Sequence, residues 1–188
     1  MTKQAAILSP TKEQQALKEC RSARERVILL LSIKAGLRAV EIAGLKWGEI
    51  DFEGGCLWLK TTKGGKPRRV PMAAALIDAL AAYKAERGDL ADPDGPVLTN
   101  QHQDRGAPLT ANAVTVWLRY FYERRMDWTG FSSHSGRRTF VTRAAKAISA
   151  AGGTLKDVQR MVGHTDIRMT ARYIEADEDA QKRVVDMI

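Results

Sequence analysis

HSGRRTFVTRAAKAISAAGGTLKDVQRMVGHTDIRMTARY (134–173) is the stretch that decides how this chain is read. It runs helix, break, helix, break, helix. A helix is predicted from about Ser135 to Ala150, where Gly152-Gly153 stops it. Thr154 caps a short helix to Met161, and Gly163 closes that one. Thr165 or Asp166 opens a third, leading to Tyr173. The same stretch gathers His134, Arg137, His164 and Tyr173, and GLRAVEIAGLKW (36–47) adds Arg38 from far upstream. Two arginines, two histidines and a tyrosine make a poor metal site. Around a phosphodiester they make sense, because guanidinium forks match phosphate oxygens and a phenolic oxygen can attack phosphorus.

Upstream the pattern stays helical, with one change of period. Ser9-Pro10 reads as an N-cap with proline at the first helical position, opening a helix to about Cys20. Helices are expected at about Ala23–Lys34 and at 39–45. Short strands then follow at Ile50–Phe52, Cys56–Lys60 and Arg68–Pro71, separated by the turns Glu53-Gly54-Gly55 and Lys63-Gly64-Gly65-Lys66. Helices resume at Ala73–Arg87 and Ala111–Arg125, flanking a Gly- and Pro-rich loop around Val97-Leu98. Val114, Trp117, Leu118 and Phe121 share one helical face, whose aromatics read as core rather than as a base-stacking platform. The fold class is mainly α with a small three-stranded antiparallel β-sheet (α+β): a loose leader at 1–8, then one domain at 9–188.

With 188 residues and 44% apolar content, the chain is long enough for one well-buried core. Cys20 and Cys56 are too few for a disulfide framework or a zinc module, which suits a reducing compartment. No apolar signal segment opens the chain, and its longest apolar run, Val27–Leu31, is far short of a membrane span. The net charge is +8, and the surplus is concentrated. Lys60, Lys63, Lys66, Arg68 and Arg69 form one basic cluster and Arg137, Arg138 and Arg143 another, as a phosphate footprint would be.

Taken together, GLRAVEIAGLKW, the lysine-bearing turn at 60–69, HSGRRTFVT, MVGH and the following Arg172-Tyr173 resemble the catalytic domain of the tyrosine recombinases, the phage integrase family. The resemblance spans roughly residues 9–188. It implies site-specific DNA cleavage and rejoining through a covalent 3′-phosphotyrosine, with no cofactor and no metal. Tyr173 would be the nucleophile, Arg38 and Arg137 the clamp on the non-bridging oxygens, and Lys63 the acid that protonates the departing 5′-oxygen. His134 and His164 would bind the phosphate or move the tyrosine proton. Lys60, Lys66, Arg68, Arg69 and Arg138 are expected as DNA contacts, with Arg119 on a candidate reading helix. The implied partner is double-stranded DNA, bound by a homotetramer that is weak or monomeric without it, in the cytoplasm and at the nucleoid. The tail at 176–188 would be a helix docking on a neighbouring protomer or on its own core.

The chain departs from the family pattern in two ways. Gly136 and Arg138 replace a usual leucine and histidine. Gly136 removes an apolar anchor at the start of a helix, and the change at Arg138 is expected to alter the tuning of the site rather than its competence, with Arg138 itself touching a phosphate. Nothing ahead of residue 9 resembles the core-binding domain that completes the family's clamp on DNA. Two other functions stay open on sequence: type IB topoisomerase relaxation, and a DNA-binding module that keeps the fold without the chemistry.

Overall fold

Residues 27–33 (VILLLSI) carry one polar side chain, Ser32, and such a run is stable as helix where other elements cover it on all sides. In the computed structural model, which describes residues 4–60, 67–88, 91–100 and 107–171, that is where it lies. Every residue from Val27 to Ile33 of this helix (α2, Ala23–Lys34) is buried. Before it comes α1 (Pro10–Lys18), capped by the Ser9 hydroxyl, and after it α3 (Ala39–Gly44). Strands β1 (Ile50–Asp51), β2 (Cys56–Leu59) and β3 (Arg68–Pro71) make an antiparallel sheet in sequence order. The register sets Ile50 opposite Leu57, and Leu59 opposite Arg68. Helices α4 (Ala74–Arg87), α5 (Ala111–Tyr120), α6 (Ser135–Ala147), α7 (Leu155–Val162) and α8 (Ile167–Ala171) complete the described order. Helix α2 packs on α4 and α6, α3 on α5, and α7 on β3, α6 and α8. The expected class, mainly helical with a small three-stranded sheet, is the one observed.

Three local features differ from expectation. Residues 4–8, read as a loose leader, lie against α6. Leu8 is fully buried, its amide donates to Thr139 Oγ1 at 2.9 Å, and its carbonyl accepts from Arg143 at 2.9 Å. Secondly, the helix expected to run regularly to Arg125 widens into a π turn at Phe121–Arg125. The wider turn sends two consecutive aromatics, Phe121 and Tyr122, into the core and aims Arg125 at Glu25, with bonds of 2.6 and 3.0 Å. Thirdly, Gly136 is a contact point rather than a missing anchor. A Cβ there would sit 2.2 Å from Ser32 Oγ and 3.0 Å from the Ser32 carbonyl carbon, so glycine lets α6 touch α2. Among the described residues no helix is long and apolar enough to cross a membrane.

Candidate active site

The last carbonyls of any α-helix have no partner within it and carry partial negative charge. At the end of α7 three arginines satisfy three consecutive ones. Arg68 Nε donates to Met161 O at 3.0 Å, Arg137 Nη2 to Val162 O at 2.8 Å, and Arg38 Nη2 to Gly163 O at 3.1 Å. Thr154 and Asp157 box the start of this helix, and Gly163 ends it in the left-handed region at φ +66°. The glycine is needed twice over, since a Cβ there would press on the Arg68 guanidinium at 2.9 Å.

Each arginine arrives from a different element. Arg38 precedes α3 and also bonds Glu41 Oε1 at 3.0 Å. Arg137 comes from the first turn of α6, and its Nη1 reaches Gly36 O at 2.5 Å. Gly36, at φ +62°, lies so close to Phe140 of α6 that a Cβ would fall 2.4 Å from its ring. Arg68 opens β3 and grips Glu41 through both terminal nitrogens at 2.9 Å.

Glu41 is therefore shared by two guanidinium groups and by the Arg38 amide at 2.9 Å, and its side chain is 2% exposed. Burial raises its pKa, but the bond to Arg68, the Arg38 amide and both positive charges outweigh that and hold it below the ordinary carboxylate value. His164 follows Gly163 directly and is buried, with Nδ1 2.9 Å from Thr170 Oγ1. Burial first, and then the charges of Arg137, Arg38 and Arg68, push its pKa down from 6.5 to about 4. It is a neutral imidazole at neutral pH. Three guanidinium groups thus surround a neutral histidine and one shared carboxylate, an arrangement suited to an anion.

Of the expected site residues, the fold brings together Arg38, Arg137 and His164. Arg137 and Arg138 are told apart by direction: Arg138 turns away and donates to Ala5 O in the N-terminal segment. Arg138 therefore stands apart from the cluster that Arg38, Arg68 and Arg137 form. The Arg68 side chain is 8% exposed and faces Glu41, not solvent. Alternation along β3 carried that signal, since Arg68 shares its strand face with buried Val70 while Arg69 faces out. Arg69 lies 4.9 Å over the exposed Trp58 ring and donates to Cys56 Sγ at 2.9 Å. His134 is exposed at the start of α6, and Lys60 is exposed with its amide on Glu49 Oε1 at 3.1 Å. Arg119 is 70% exposed and pairs with Glu123 at 2.9 Å. Lys63, Lys66, Tyr173 and the tail at 176–188 lie outside the described residues. Among the described residues no group of three or more His, Cys, Asp or Glu side chains gathers as metal ligands.

Residues 6–180 match the sequence model of the phage integrase family. The chain is 31% identical over 163 residues to tyrosine recombinase XerC of Xylella fastidiosa (strain 9a5c), covering 87% of this chain and 52% of that protein. Among solved structures, XerA recombinase superposes with a TM-score of 0.75 at 20% identity, covering 98% of this chain and 65% of the other. The Tn1549 transposon integrase, solved with transposon right end DNA, gives 0.77 at 20% identity, covering 97% and 66%. The chain spans about half the length of the XerC proteins it matches.

Proposed function

The chain belongs to the phage integrase family of tyrosine recombinases, and on that premise we propose that it cleaves and rejoins DNA strands at the arginine cluster around the end of α7. The observation that carries the reading is the convergence of Arg38, Arg68 and Arg137 on three successive carbonyls, with His164 held neutral beside them.

In the proposed reaction the Tyr173 oxygen attacks the scissile phosphorus. The P–O bond to the 5′-oxygen breaks as the new P–O bond forms, leaving a 3′-phosphotyrosine and a free 5′-hydroxyl. Charge grows on the non-bridging oxygens as phosphorus becomes five-coordinate, so Arg38 and Arg137 stabilise the transition state more than the ground state. Both are pre-oriented by protein partners, which lowers the reorganisation needed at the moment of reaction. His164 is a neutral hydrogen-bonding partner for the phosphate. A bound phosphate would offset the arginine charges that add to burial in making it a weak base, allowing it to take the phenolic proton. Lys63 would deliver a proton to the departing 5′-oxygen, and His134 would bind the phosphate. The ester energy stays in the phosphotyrosine, so rejoining runs the same steps backwards with no cofactor. Double-stranded DNA is the proposed partner, on which copies of the chain would assemble as a tetramer.

The test is covalent trapping. The chain is incubated with a pool of nicked duplexes of randomised sequence, and adducts are isolated on denaturing gels and sequenced. Wild type is expected to give an adduct at a recurrent site and Tyr173→Phe none. An adduct of equal yield from Tyr173→Phe removes the nucleophile assignment. Relaxation of supercoiled plasmid without a recurrent site favours a topoisomerase instead.

A further inference from the structure

We propose that Arg68 is a positioning residue of this site: by holding Glu41 and the end of α7, it leaves the charge of Arg38 available to the phosphate. The inference rests on the function proposed above. Its basis is geometric. With its side chain only 8% exposed, Arg68 spends Nε on Met161 O and both terminal nitrogens on Glu41. Glu41 in turn bonds both the amide and the guanidinium of Arg38. Arg38, 36% exposed at its side chain, is the member of the pair that solvent can reach.

Charge explains why a second arginine is needed. Arg38 and Glu41 alone sum to zero, and a phosphate would gain little from a guanidinium already neutralised by a buried carboxylate. Adding Arg68 gives the trio one net positive charge and divides the carboxylate between two forks. Geometry explains why it is an arginine. A planar fork can meet a carboxylate with its ends and a carbonyl with Nε at once, whereas an ammonium is a point charge. Position explains its rigidity. Arg68 stands in register with Leu59, two residues before fully buried Val70, so its Cα is fixed by the sheet and the core.

The experiment compares wild type with R68M, E41Q, R68M/E41Q and R68K. The readouts are the rate of covalent adduct formation at saturating DNA, using the duplex trapped from the randomised pool, and melting temperature. R68M should slow adduct formation by about 100-fold, as small misplacements of transition-state donors do. Removing the now unbalanced carboxylate should restore it, so that R68M/E41Q is at least tenfold faster than R68M (about 1.4 kcal/mol). R68K should be intermediate, keeping charge but not the fork. A double variant as slow as R68M, with both folded, overturns the proposal, since a merely structural role predicts added losses. Should R68M not fold, R68K decides: a wild-type rate there means the fork is not needed and overturns it. Should wild type trap no DNA, the proposed function fails and the histidine titration decides the role of Arg68. The chain has three histidines, so His164 can be followed by NMR. A midpoint that rises in R68M supports Arg68 as part of the charged cluster facing His164 with Arg137 and Arg38, and an unchanged one overturns it.

Discussion

Replacing Gly163 by alanine should damage the site as well as the fold, and a matched control exists within the chain. Gly163 and Gly152 both lie in the left-handed region, at φ +66° and +74°. An L-residue there costs about 1–2 kcal/mol, and both substitutions incur that strain. They differ in surroundings. A Cβ at Gly152 meets nothing within 4 Å, while one at Gly163 would lie 2.9, 3.0 and 3.1 Å from Nη1, Cζ and Nε of Arg68, against the plane of the guanidinium. Ordinary contact needs about 3.5–4.0 Å, so the group must retreat by roughly half an ångström or more. That stretches its bonds to Glu41 at 2.9 Å and to Met161 O at 3.0 Å. Weakening such charge-assisted bonds costs a further 1.5 kcal/mol or so. G163A should therefore lose about 3 kcal/mol and G152A about 1.5, or roughly 9 °C against 4 °C in melting temperature. Differential scanning calorimetry measures both. Adduct formation should be unchanged in G152A and fall about 100-fold in G163A. Equal melting losses, with normal adduct formation by G163A, would refute the claim that Arg68 needs the space a glycine leaves.

Three further outcomes follow from the packing and charge. His164 has a folded pKa of about 4, below its ordinary 6.5, so on acidification the unfolded chain takes up the proton first. Stability should then decline as pH falls from about 6.5 towards 4, and His164→Asn should flatten that part of a urea-midpoint profile. Gly136→Ala should lower the melting temperature by about 5 °C or more, because a Cβ 3.0 Å from the Ser32 backbone forces α2 and α6 apart; Gly44→Ala, with nothing within 4 Å, should not. Leu8→Ala should cost about 3 kcal/mol in denaturant unfolding despite its place near the start of the chain, since Leu8 is 1% exposed. A loss under 1 kcal/mol would mean that the N-terminal segment is not docked on α6.

Much of the architecture is legible locally. The glycine after α7, the threonine before it and the switch from helical to alternating period at residue 50 mark element ends because capping and turn chemistry act over a few residues. The two ends of α2 are read correctly for the same reason. Its depth is not, because seven consecutive buried residues mean a central helix only once α4 and α6 cover its remaining sides. The π turn and the docked N-terminal segment escape for a related reason. Both are set by contacts with distant partners, Glu25 for one and Thr139 for the other.

For the site, the sequence by itself determines which side chains are available: arginines at 38 and 137, a histidine after a helix-ending glycine, a carboxylate three residues beyond Arg38, and a basic surplus that favours an anion. Strand alternation separates Arg68 from Arg69, but only the tertiary contacts separate Arg137 from Arg138: the first enters the cluster and the second turns to the N-terminal segment. The acceptors that make the choice are carbonyls 25 and 125 residues away from Arg137 and Arg38. Those carbonyls need partners only because α7 ends inside the fold, which no local pattern records.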